Sequence, residues 1–105
     1  MKIELLYFDG CPSWQTALAN LRTALQLERL AAHVAPVTVE DDAAATRFRF
    51  LGSPSIHVDG RDLWPQERAE YHLSCRVYST PEGMRGWPTV AMLRDRLHTI
   101  VEETR

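Results

Sequence analysis

Two cysteines set the chemistry open to this 105-residue chain: Cys11 in "YFDGCPSWQ" and Cys75 in "SCRVYST". A thiol attacks disulfides or binds soft metals only as the thiolate. The unpaired N–H groups and positive dipole end at a helix start favour that ionised form. Cys11 follows a strand-like run and a turn and precedes an apolar repeat with helical spacing, so it is expected at such a helix start. Pro12 supplies no N–H there, and the donors expected are those of Ser13 and Trp14. The alternative is a Cys11 that is simply a small apolar residue at a strand–helix junction. A C-x-x-C redox pair needs its second cysteine at position 14, and that residue is Trp14. Trp14 cannot resolve a mixed disulfide. It falls in phase with Leu18, Leu21 and Leu25, which makes it a core anchor.

Three readings of the thiol chemistry follow. The protein is monothiol and uses glutathione or another small thiol; or Cys75 resolves from elsewhere in the chain; or the redox cycle is lost and a binding module remains. Cys75 is either near Cys11 or a buried strand residue. A disulfide between them needs Cα atoms within about 7 Å. His72 and Cys75 form an H-x-x-C that with Cys11 could hold a soft metal, although one such spacing is a weak signal and no metal site is assigned. Arg76 follows Cys75 directly, and successive strand residues face opposite ways, so it is not expected to tune that thiol. His57 alternates with Ile56 and Val58, and is expected to be satisfied or exposed. Asp9 reads as a turn residue.

The elements that must position these residues follow from apolar spacing. "KIELLYF" reads as a strand closed by the Asp9-Gly10 turn. From Pro12 to about residue 32 the apolar residues mark one helix face, with Pro12 suited to the first helical position. "HVAPVTV" is a second strand, with Pro36 confining it to an edge or a strand end. "EDDAAATRFRF" is a short helix whose acidic start suits the dipole. "SIHV" is a strand that turns back at Asp59-Gly60 into a return strand at 61–64. "PQERAEYHLS" is a loop, "CRVYST" a candidate paired strand, "PEGMRG" a loop, and "WPTVAMLRDRLHTIVEET" a closing helix. Trp64, Tyr71, Tyr78 and Trp87 are expected to pack the irregular second half down. The helix-linked early strands are expected to be parallel and the strands joined at Asp59-Gly60 antiparallel.

A strand, a cysteine at the start of a long helix, then Gly52-Ser53-Pro54 before a strand and hairpin resembles the thioredoxin fold. Cys11 matches the first position of its C-x-x-C, and Pro54 matches its cis-proline. "YFDGCPSW", "FLGSPSIHVDG" and "CRVYSTPEG" together resemble a group of bacterial thioredoxin-like proteins, some of which carry selenocysteine at the cysteine position. The resemblance implies an α/β, three-layer thioredoxin-like fold over 1–105, with a small mixed sheet (β-α-β-α-β-β-α) and helices on both faces. It also implies a redox-active Cys11 with Ser53 and Pro54 positioning a substrate, Ser53 through its backbone, and Pro12 and Trp14 beside it. Read on its own, Pro54 is either cis or an ordinary trans turn proline.

Composition sets the frame. Apolar residues make up 45% and charged residues 25% of the chain, with a formal net charge of -2, and one domain of this size can build a core without disulfide staples. No basic cluster draws nucleic acid, and no apolar run reaches the ~20 residues that span a bilayer. The start is too short and too alternating for a signal peptide, so a cytoplasmic location is expected. There two cysteines point to redox chemistry, metal binding or plain burial. The expectation is a thiol–disulfide redox protein, possible as an oxidoreductase, in which Cys11 and Cys75 are catalytic. Its partner is a thiol or disulfide, with no cofactor, nucleic acid or membrane. The alternatives are a non-catalytic binding module, or a thiolate trap for mercury, copper or arsenic.

Overall fold

The computed structural model describes residues 1–103. The elements are β1 (Ile3–Tyr7), α1 (Trp14–Leu27), β2 (Val34–Thr38), α2 (Asp42–Phe48), β3 (Ser55–Val58), β4 (Arg61–Asp62), β5 (Tyr78–Thr80), β6 (Gly83–Arg85) and α3 (Val90–Glu103). Four strands form a mixed sheet in the order β2-β1-β3-β4, and β5 and β6 form a separate hairpin.

β1 sits at the centre because its residues are apolar on both sides. Ile3 and Leu5 join a buried cluster with Leu18, Leu21 and Leu25 of α1, Ile56 and Val58 of β3, and Leu93 and Leu97 of α3. Leu6 points the other way, as strand alternation requires. It packs with Val39, Ala44, Ala45 and Phe50 around α2. β2 lies at the sheet edge, where Pro36, exposed to solvent, costs no ladder bond. α2 is started by Asp41, whose carboxylate accepts the Ala44 N–H at 2.7 Å, satisfying one orphan amide of the first turn.

Strand direction departs in one place from the sequence expectation. β1 and β2 are parallel, as expected of a strand–helix–strand unit. β3, also reached through a helix, is antiparallel to β1. α2 has seven residues and spans only about 10 Å. It is shorter than the roughly 17 Å of a five-residue strand. The chain does not return to the far end of the sheet. It enters β3 beside Leu6, at the end where β2 finished.

Two other expectations change. "PEGMRG" is not a plain loop: Gly83–Arg85 pairs with Tyr78–Thr80, so the hairpin lies wholly within the second half. α1 begins at Trp14 with Ser13 as its N-cap, not at Pro12, because the first intrahelical bond runs from Ala17 N–H to the Ser13 carbonyl.

Candidate thiol site

Cys11 closes a turn at the carboxyl end of β1. Its N–H donates to the Phe8 carbonyl at 3.2 Å. Gly10 holds φ +91 inside that turn, with no atom near enough to meet a Cβ. The thiol thus stands two residues ahead of Ser13, the N-cap of α1, whose side chain makes no cap hydrogen bond. The first-turn amides of such a helix remain open to an outside acceptor. Cys11 is only 6% exposed. Both cysteines are free thiols, and Cys75 is exposed.

Trp14 stacks on Tyr7, with ring centroids 4.1 Å apart and planes inclined by 14°. It is half-buried against the α1/α3 cluster, so its ring is committed largely to packing. Pro12 is exposed beside the thiol, and Asp9 is an exposed turn residue.

The loop before β3 meets this turn directly. Phe8 N–H donates to Ser53 Oγ at 3.3 Å, and the Ser53–Pro54 peptide is cis. Ser53 is buried, and both its backbone groups are engaged. Its N–H donates to the Ser74 carbonyl at 2.8 Å, and its carbonyl accepts the Arg76 N–H at 3.0 Å. Cys75 lies between those two residues and forms an isolated parallel bridge with Ser53. Cys75 is thus the direct backbone neighbour of Ser53, while Cys11 is joined to Ser53 only through the Phe8 turn.

What holds the 74–76 segment in place is a buried ion pair that the sequence reading missed. Arg76 Nη1 donates to Asp62 Oδ2 at 2.7 Å and to Ser55 Oγ at 2.9 Å. Its Nη2 donates to the Trp64 carbonyl at 2.7 Å. The Arg76 and Asp62 side chains are 5% and 7% exposed. The guanidinium also lies 5.0 Å from the centre of the Tyr78 ring, and the Tyr78 hydroxyl donates to the Pro54 carbonyl at 2.6 Å. Burial raises the Tyr78 pKa far above that of a free phenol. Cys75 and Arg76 precede β5 rather than belonging to it, so strand alternation does not govern them. Cys75 is exposed, while the Arg76 side chain is buried with its guanidinium on Asp62.

His57 corrects a second expectation. It is buried, and its Nε2 has no hydrogen-bond partner among the described residues. Asp62 Oδ2 is the nearby carboxylate, at 3.7 Å. Burial lowers the His57 pKa below 6.5; the carboxylates of Asp62 and Glu4 partly offset this, and Arg76 adds to it. His57 shares its sheet face with Glu4 and Asp62 through the β1–β3–β4 register. It also lines a cleft of about 1010 Å³ with Leu51, Leu63 and Tyr71. That cleft surrounds the Asp59-Gly60 turn, beside Lys2 just ahead of β1, and so lies at the other end of the sheet from Cys11.

His72 does not join the cysteines. Its ring nitrogens face Asp42 at 3.6 Å and Glu70 at 3.3 Å on the surface. Among the described residues no three His, Cys, Asp or Glu side chains gather as a metal would require. No described helix is long and apolar enough to cross a membrane.

Comparison with family models, with curated proteins and with solved structures found no match.

Proposed function

We propose that this chain is a small thioredoxin-like thiol–disulfide redox protein in which Cys11 is the attacking thiol. The observation that carries the reading is the Phe8–Ser53 hydrogen bond, which draws the Cys11 turn against the loop that also pairs with Cys75. Ser13, the N-cap of α1, makes no side-chain cap hydrogen bond, so its own hydroxyl does not occupy the first-turn N–H groups that could receive an anionic substrate group. The separate packing of Leu5 with α1 and α3, and of Leu6 with α2, supports helices on both faces of the sheet and hence the three-layer arrangement. Strand order β2-β1-β3-β4, with β3 and β4 antiparallel, agrees with that reading.

In this reading the Cys11 thiolate attacks one sulfur of a disulfide. The substrate S–S bond breaks, a mixed disulfide forms on Cys11, and one thiolate leaves. The Cys75 thiolate then attacks the Cys11 sulfur, releasing the second substrate thiolate and leaving a Cys11–Cys75 disulfide. Two electrons pass from the protein dithiol to the substrate, and the two thiol protons go to the released thiolates. Ser53 and Pro54, both buried, back the site in this reading, with the exposed Pro12 at its rim.

The test is the rate of alkylation and of disulfide exchange at Cys11 in a Cys75→Ser variant. A reactive thiol exchanges with a disulfide reagent and is alkylated faster than free cysteine. No exchange, with alkylation no faster than that of free cysteine, would overturn the reading. A non-catalytic binding module is the second reading, favoured by the aromatic stack at Trp14 in place of a nearby thiol. It requires that Cys11→Ser leave the cellular phenotype of the protein intact.

A further inference from the structure

An extended partner chain docks on a protein by adding main-chain hydrogen bonds to an exposed backbone edge. Near Cys11 the backbone suited to that role is Ser53, whose side chain already touches the Phe8 turn. Both of its main-chain groups are occupied from within the chain, by the Ser74 carbonyl and the Arg76 N–H. The occupying segment is not a loose flap. Its Arg76 is anchored through Asp62, Ser55 and the Trp64 carbonyl, with the guanidinium and its carboxylate both buried. Peeling 74–76 away would strand that pair. The carbon atoms of Arg76 also lie against Gly52, closely enough that a Cβ there would meet the Arg76 Cβ at 2.9 Å. Residue 75, at the centre of the segment, is an exposed cysteine.

We infer that the 74–76 segment permanently fills the peptide-docking edge beside Cys11, so that the disulfide this protein reduces belongs to a low-molecular-weight thiol and not to a polypeptide. The inference rests on the thiol–disulfide reading above and narrows its substrate. A small disulfide needs no backbone edge. Its approach to the 6% exposed Cys11 does not depend on main-chain pairing, whereas an extended polypeptide that docks by such pairing finds the Ser53 groups already taken. The electron balance is that given above: the small disulfide becomes two small thiols, and the protein dithiol becomes the Cys11–Cys75 disulfide.

The experiment compares reduced protein acting on glutathione disulfide and on insulin. Each rate is divided by that of a free small thiol on the same disulfide. The expected result is a normalised rate on glutathione disulfide at least about tenfold above that on insulin, a difference of ~1.4 kcal/mol in barrier. Equal or faster reduction of insulin overturns the inference and leaves the thiol reading standing. No rate above the free thiol on either substrate overturns both. Arg76→Lys keeps the charge but loses the planar fork. It is expected to speed amide exchange at Ser53 and Arg76 and to raise the insulin rate. Faster exchange with no gain on insulin also overturns the inference. If that variant does not fold, the comparison on the unaltered chain still decides.

Discussion

Replacing Gly52 with alanine strikes the contact that seats the 74–76 segment. Gly52 holds φ +119, a conformation nearly closed to residues with a Cβ, and forcing one there costs about 1–3 kcal/mol. The added methyl would sit 2.9 Å from the Arg76 Cβ, 3.1 Å from its N and 3.2 Å from its Cα. None of these atoms is the end of a flexible side chain, so the segment itself must retreat. Retreat weakens the Ser53–Ser74 and Ser53–Arg76 hydrogen bonds, each with a net value of about 1 kcal/mol. Together the loss is roughly 3–5 kcal/mol, a large part of the stability of a domain this size. Gly60→Ala is the control. It holds φ +83 with nothing within 4 Å of a Cβ, so it carries only the backbone cost of about 1–2 kcal/mol. Urea unfolding followed by tryptophan fluorescence reads both variants. Amide exchange at Arg76 should accelerate in Gly52→Ala and stay unchanged in Gly60→Ala. Equal losses in the two variants, with equal protection at Arg76, would refute the idea that Gly52 exists to admit the Arg76 backbone.

Three further outcomes follow from the same contacts. Arg76→Met leaves Asp62 buried beside no cation and should cost about 3–5 kcal/mol, with Asp62→Leu in the same chain recovering most of it; chemical denaturation of the single and double variants checks this. His57 is held neutral by burial, its folded-state pKa lying below the unfolded value of 6.5. As pH falls through 6.5 the unfolded chain takes up a proton that the folded chain refuses, so stability falls with acidification until the folded histidine also titrates; His57→Gln should flatten the slope of unfolding free energy over that window. Asp41→Ala removes the cap on Ala44 and should cost about 1 kcal/mol, measured as a shift in the urea midpoint without a change in slope.

Much of the architecture was legible in the sequence because the signals are local. The helical spacing of Leu18, Leu21 and Leu25 needs only the chain within one turn of itself, and all three are buried in α1. Asp59-Gly60 marks its hairpin by backbone geometry alone, with both residues at positive φ. Pro36 announces an edge strand through its missing N–H, and β2 is at the edge. The site is harder to read. Cys11 lies between β1 and α1, the place its sequence context indicates. Its helix, however, starts later than Pro12 suggests, since the cap depends on which carbonyl receives the first hydrogen bond.

What only the tertiary structure decided concerns polar residues whose partners lie far along the chain. Arg76 reads as a surface arginine until Asp62, fourteen residues earlier, and Ser55, twenty-one earlier, close around it. His57 alternates like a solvent-facing strand residue, yet β4 and its surroundings bury it, and Nε2 has no hydrogen-bond partner among the described residues. Cys75 reads as the opening of a strand, but the strand begins at Tyr78, and Cys75 instead pairs with Ser53 as a lone bridge. Periods of 2 and 3.6 residues report which side of an element is apolar. They carry no information about which distant element will cover a polar side chain, because that depends on loop closure and on charges meeting across the fold.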